Sequence, residues 1–161
     1  MAQSVSQSRE IFSKVDDIWG LVSDLANEAK YWSGYGDVKV VSRQERAIEI
    51  EVSFAGLEDA KGRELHLLDP KRSIATKLTG GPVVGERSLV LIPMSRNSTR
   101  VDVRWRFQPK GIPKFAPDLL GEEIARQTEE ALNRIEESSG GAASFARWRP
   151  SSRGLFRGRS E

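Results

Sequence analysis

Between Asp37 and Pro109 apolar and polar residues alternate in short runs broken by turn residues, the mark of half-buried β-strands. AIEIEVSFA puts Ile48, Ile50, Val52 and Phe54 on one face and Glu49, Glu51 and Ser53 on the other. RVDVRWRFQ repeats this, with Val101, Val103, Trp105 and Phe107 opposite Arg100, Asp102, Arg104 and Arg106. VKVVSRQE, RELHLLD, RSIATKLT and VGERSLVLIP supply four more runs. Their turns are read at Ala60-Lys61-Gly62, Asp69-Pro70-Lys71, Gly80-Gly81-Pro82 and SRNST. Six consecutive strands on short connections predict an antiparallel meander with one apolar and one wet face. On the wet face Glu49 and Glu51 can interleave with the arginines, so it reads as solvated surface rather than a nucleic-acid platform.

The two ends of the chain read differently. SVSQSREI predicts a strand over about residues 4–12. Ser13 is then expected to cap a helix whose first turn carries Asp16 and Asp17, where negative charge suits the helix dipole. Val15, Ile18, Val22 and Leu25 form its apolar stripe, with Trp19 alongside. A bend near Asn27 and a second helical turn deliver Tyr31 and Trp32 to the SGYGD loop. After Pro113, PDLLGEEIARQTEEALNRIEESSGG predicts the longest helix, with Pro117 in its first turn and Gly140-Gly141 as its stop. Leu120, Ile124, Thr128, Ala131 and Ile135 share one stripe, on which Thr128 and Ala131 are small for a face that should fill a core. The fold class is α+β.

Composition adds bounds. The 161-residue chain is 38% apolar and 30% charged, the balance of one water-soluble domain. It has no apolar run near the roughly 18 residues that a membrane span needs, and MAQSVSQSRE lacks the features of a signal peptide. Cysteine is absent, which excludes disulfides and thiolate chemistry and agrees with a cytoplasmic location. The net charge of +2 is unevenly placed: from Ser139 onward five arginines face one glutamate, net +4, so the preceding residues carry −2. The expected division is a domain over 1–138 and a basic Gly/Ser/Arg-rich tail over 139–161. Only that tail suits contact with nucleic acid or membrane.

Candidate chemistry is sparse. His66 is the sole histidine. In LHLLD it alternates with Leu65 and Leu67, and taking the leucines as the core face points His66 outward. One histidine without cysteine makes no typical zinc site, and no acidic run has calcium-loop spacing. An outward His66 also argues against a Ser-His-Asp triad. Neither metal nor cofactor is expected. LTGGPVVGER lacks the Lys-Ser/Thr of a phosphate loop and reads as a hairpin connection. With no carboxylate at a clear inward parity, Tyr31 and Tyr35 are the remaining proton-donor candidates.

The element order resembles that of the START-related (SRPBCC) superfamily. SREIFSKVDDIWGLVSDLANEAKYW is similar to its N-terminal strand and helix, with VW..(V/L)SD and a later tryptophan. WRFQPKGIP followed by IARQTEEALNRIE is similar to its last strand and closing helix. The closest branch is the polyketide cyclase/dehydrase and coenzyme-Q-binding group, and the resemblance covers roughly residues 4–138. It implies a helix-grip fold: a curved antiparallel sheet of about seven strands around the C-terminal helix, with two short helices after the first strand and a cavity between sheet and helix. On that fold Trp19 packs in the core, while Trp32 stands near the cavity mouth. Trp32 is read either as a ligand contact or as plain structure. The expected ligand-facing positions are Trp32, Tyr35, Phe54, Leu67, Thr76, Leu91, Trp105, Phe107, Leu120, Ile124 and Thr128, each of which a filled core would also explain. No catalytic residue is assigned. The first functional expectation is binding or carriage of a small hydrophobic ligand (lipid, quinone or polyketide-like). The alternatives are a polyketide cyclase/dehydratase-type enzyme and a co-chaperone-like interaction module. An inward Glu, Asp or Arg within reach of bound ligand would favour the enzyme; a filled cavity with an exposed apolar patch would favour the interaction module.

Overall fold

The alternating segments pair into one seven-stranded antiparallel sheet, seen in a computed structural model that describes residues 3–54, 57–109 and 117–141. In chain order the elements are β1 (Gln3–Ile11), α1 (Val15–Val22), a 3-10 segment (Leu25–Lys30), β2 (Tyr35–Arg43), β3 (Ala47–Phe54), β4 (Leu57–Asp69), β5 (Ser73–Thr79), β6 (Val83–Ser95), β7 (Ser98–Pro109) and α2 (Pro117–Ser138). β2 to β7 run as a meander, and β1 returns to pair with β7, giving the order β1-β7-β6-β5-β4-β3-β2. This is the predicted α+β helix-grip architecture.

The helices cover the apolar face. α2 lies along β1 and β7 and also touches α1. Gln7 Nε2 on β1 donates to the Ala125 carbonyl of α2 at 2.7 Å, and Arg9 reaches Glu136 at 3.5 Å. Ile124, Ala131, Leu132 and Ile135 bury against Ile11, Val101, Val103 and Phe107. A second, smaller apolar group joins Leu25 to Ile48, Ile50 and Val52 under the 3-10 segment. Gly140 ends α2 with φ +79, a left-handed conformation that glycine adopts without a Cβ penalty. The predicted basic tail lies outside the described residues from 142 onward.

Three local expectations are corrected. The cap position of α1 is Lys14, which makes no side-chain cap bond; the Ser13 hydroxyl donates instead to Ser139 Oγ at 2.9 Å, tying the start of α1 to the end of α2. Ala60-Lys61-Gly62 is not a turn but part of β4, where Lys61 pairs with Ser53 and Gly62 with Val52. The inward face of β4 is also the reverse of the one expected. His66 is wholly buried and Glu64 is 1% exposed, whereas Leu65 and Leu67 face outward at 36% and 51%. Leu67 is therefore not a cavity-lining residue. It lines an open groove of about 610 Å³ on the outer face of the sheet, with Leu65, Lys77 and Arg104.

A buried charged cluster as the candidate functional site

Strand register builds one polar row across the inner face. His66 on β4 pairs with Thr76 on β5, Thr76 with Arg87 on β6, and Arg87 with Trp105 on β7. Directly opposed residues on one face hold their Cβ atoms about 4.5–5.5 Å apart, so these four side chains are neighbours by construction. Glu64 lies two residues before His66 and therefore on the same face. The 3-10 segment contributes Glu28. It kinks at Asn27 (φ −104, ψ 20), and Trp32 and Tyr35 follow where the chain enters β2.

The contacts form a closed network. Arg87 Nη2 lies 3.1 Å from Glu28 Oε1 and 3.8 Å from Glu64 Oε1. Its Nη1 donates to the Tyr35 hydroxyl at 3.2 Å, and that hydroxyl donates to Glu64 Oε2. The guanidinium stands over the rings of Trp32 and Trp105, 4.4 and 5.1 Å from their centroids. His66 Nε2 lies 3.2 Å from Glu28 Oε2 and 3.0 Å from Glu64 Oε1, while Nδ1 shares a 2.8 Å hydrogen bond with Thr76 Oγ1. The two Nε2 contacts are ion-pair distances without hydrogen-bond directionality, so Glu28 Oε2, Glu64 Oε1 and His66 Nε2 have no hydrogen-bond partner. Glu28, Glu64, His66, Thr76 and Arg87 are all at most 6% exposed.

Electrostatics separates the two carboxyls. Burial pushes Glu28 up, but Arg87 and His66 outweigh it and hold this carboxyl well below the usual range. Burial and then the Glu28 charge raise Glu64, an effect that His66 and Arg87 only partly offset. Burial opposes a charged imidazole, yet the two carboxyls push His66 up to about 9. Tyr35 is raised well above its ordinary value by burial and then by Glu64. The cluster thus holds an ionised Glu28 and a proton-bearing His66, with Tyr35 protonated beside Glu64.

Of the expected ligand-facing residues, Trp32, Tyr35, Thr76 and Trp105 meet at this cluster. Trp32 and Trp105 pack edge to face at 5.5 Å, and Trp105 Nε1 is a further buried polar atom without a hydrogen-bond partner. Phe107 stands edge-on to Trp105 at 6.5 Å, and Phe54 edge-on to Tyr35 at 6.0 Å. Leu91, Leu120, Ile124 and Phe107 belong to the main apolar core. Thr128 is wholly buried with its hydroxyl on the Ile124 carbonyl at 2.7 Å. The space among Glu28, Tyr31, Trp32, Thr76, Arg87 and Leu89 is only about 20 Å³, room for about one water.

The four charged members were missed, and two of them had a signal. Leu91 reads as inward, and Arg87 shares its parity. The Asp69–Ser73 turn pairs Asp69 with Ser73, and counting back sets His66 opposite Thr76. The expectation that no carboxylate points inward is corrected by Glu28 and Glu64.

The geometry agrees with the comparisons. Among solved structures the chain is similar to the Zhui aromatase/cyclase from Streptomyces sp. R1128, with 15% identity, TM-score 0.69, and 94% of this chain and 98% of that one covered. It is likewise similar to TTHA0849 from Thermus thermophilus, at 20% identity, TM-score 0.72, and coverage of 87% and 99%. A START superfamily protein from Mycobacterium smegmatis gives 17%, 0.66, and coverage of 84% and 96%. At these identities the likeness shows the fold alone. No curated protein sequence matches the chain. The model of one family, described as polyketide cyclase / dehydrase and lipid transport, matches residues 2–140. With that match covering residues 2–140 of 161, and a helix-grip sheet closed by α2, the chain belongs to the polyketide cyclase/dehydrase and lipid transport family.

Proposed function

We propose that the protein binds a small hydrophobic molecule carrying a carbonyl or phenol oxygen, with that oxygen at the Arg87–Tyr35 end of the buried cluster and its apolar body against Trp32 and Trp105. One observation carries this reading. Five polar side chains, four of them ionisable, occupy the centre of a core where well-packed apolar residues would be as stable or more so. Groups shifted by burial and by specific charge partners cluster at functional sites. The Arg87 guanidinium is an oxygen-binding donor already oriented by two indole faces. Trp105 Nε1 supplies a second donor awaiting an acceptor.

About 20 Å³ does not hold such a ligand. Binding therefore requires Trp32 to swing away from Arg87, with the ligand replacing the indole over the guanidinium. The family description covers both transport and cyclase/dehydrase chemistry. Acid–base catalysis of the latter kind is the second reading, favoured by the separated Glu28 and Glu64 carboxyls, since one environment then holds both a base and a proton donor. A lipid or quinone cargo needs only the binding step.

The test is native mass spectrometry of the purified protein with a panel of phenols, quinones and fatty acids, read beside tryptophan fluorescence. The expected result is one ligand per chain, with quenching that falls when Trp32 is replaced by phenylalanine. If no panel member adds mass or quenches at saturation, the interior is a packed core. The outer groove at Leu65 and Leu67 then becomes the place to look for a protein partner.

A further inference from the structure

We propose that Glu28 Oε2, Glu64 Oε1 and His66 Nε2 form a binding site for a single divalent transition-metal ion of the zinc, manganese, iron or cobalt class. Three side chains from two elements aim one ligand atom each at a common point. One ligand atom from each of the three residues lies within 4.8 Å of the other two. Nε2 stands 3.2 and 3.0 Å from the two carboxylate oxygens. Ligand atoms each about 2.0–2.2 Å from one ion, at tetrahedral to octahedral angles, are themselves about 2.8–3.6 Å apart. Both edges that run from Nε2 fall inside that range, as an ion seated among the three atoms requires.

The partner pattern is the second, independent observation. Each of the three residues has one atom held and one atom free. Glu28 Oε1 is held by Arg87 at 3.1 Å, Glu64 Oε2 by the Tyr35 hydroxyl, and His66 Nδ1 by Thr76 Oγ1 at 2.8 Å. The free atoms are Glu28 Oε2, Glu64 Oε1 and His66 Nε2, all buried and all without a hydrogen-bond partner, with both oxygens close to Nε2. Metal sites are built this way: outer partners fix the rotamer and tautomer of each ligand, and the free lone pairs converge. A Nδ1–H donated to Thr76 leaves Nε2 as the ligating nitrogen, the arrangement that orients metal-bound imidazoles.

The donor set chooses the class of ion. One imidazole and two carboxylates suit zinc and the first-row divalent metals, while calcium asks for six to eight oxygens. Three protein ligands leave at least one position open. The space of about 20 Å³ that Glu28 lines is beside them, the size of a bound water or of a single ligand oxygen. Two carboxylates, Arg87 and a divalent ion sum to +1, so the ion replaces the proton on Nε2 rather than joining it, and binding releases that proton.

The inference deepens the proposed function by giving a ligand oxygen a Lewis acid to meet, yet it stands on the metal alone and needs no organic ligand. His66 is the only histidine in the chain and cysteine is absent, so one set of imidazole signals reports the site. The experiment is heteronuclear NMR of the ring nitrogens in chelator-stripped protein, titrated separately with zinc and cobalt salts near neutral pH. Calorimetry runs in parallel. The expected result is saturation at one equivalent, a large shift of the Nε2 signal with zinc, and paramagnetic displacement of the His66 ring protons with cobalt. Thr76→Val, which keeps the side-chain shape and removes the Nδ1 acceptor, is expected to weaken the affinity about 10–100-fold. His66 signals that stay in place under excess zinc and cobalt overturn the proposal, whatever calorimetry records, because surface carboxylates then hold an adventitious ion only. Affinity unchanged by Thr76→Val overturns it as well. Failure of the organic-ligand panel with a shifted His66 sinks only the reading of the previous section.

Discussion

Arg87 is the residue whose removal most directly tests whether the cluster is held by charge. Its guanidinium faces Glu28 at 3.1 Å and Glu64 at 3.8 Å, supplies Tyr35 with a donor, and stacks against two indoles. Arg87→Leu keeps an apolar stem between the rings but leaves an ionised Glu28 answered by His66 alone. Breaking one side of a buried ion pair costs about 3–5 kcal/mol, because the remaining charge stays desolvated. The two ring contacts, at about 0.5–2 kcal/mol each when desolvated, lie within that total rather than above it. A domain of this kind has about 5–15 kcal/mol to lose, so the variant should fold in the cold and melt early. The decisive arm is the double variant Arg87→Leu, Glu28→Gln, which removes the stranded charge. It should recover about 1–3 kcal/mol relative to the sum of the single changes. Urea unfolding at pH 7, followed by far-ultraviolet circular dichroism, measures all three variants. A loss below about 1 kcal/mol for Arg87→Leu, or strict additivity in the double variant, would refute the charge-network argument.

Three further outcomes are expected. His66, raised from 6.5 to about 9, contributes stability that is complete below pH about 6.5 and is lost as pH rises through about 9, roughly 3 kcal/mol in all. Glu28, held low, contributes stability above pH about 4.5 that is lost on acidification, while the raised Glu64 opposes it. Urea midpoints should therefore fall from pH 6.5 to 9, and a flat profile there contradicts the assignment. Thr128→Leu adds bulk at a position already wholly buried and should cost about 1–3 kcal/mol by overpacking; a neutral or stabilising effect in thermal melts would reveal hidden space beneath α2. Gly85 has φ +148, and a Cβ there would stand 2.2 Å from the Arg106 carbonyl oxygen. Gly85→Ala should thus cost about 1–3 kcal/mol, and a melting temperature equal to wild type would show that the β6 backbone can relax.

The sequence by itself determined the elements, their order and most of the core. Period-two alternation in β3 and β7 can be buried in only one phase, since Ile48, Ile50 and Val52, or Val101, Val103 and Phe107, have nowhere else to go. The stripe of α2 and the Gly140 stop are equally local signals. Tertiary structure decided the phase of β4 and, with it, the site. Leu65 and Leu67 look like core and Glu64 and His66 like surface, because transfer energies judge each residue alone. A strand is placed by its partners, however. The turn closing at Asp69 and Ser73 locks His66 opposite Thr76, and Arg87 opposite Thr76 on the other side. Each polar group then meets the charge that makes its burial tolerable. Glu28 completes the set from a kinked 3-10 segment with neither strand parity nor a regular helical face to announce it. Reciprocal satisfaction of this kind is a property of pairs distant in sequence. No single strand of the sequence records it, and only the folded sheet brings the pairs together.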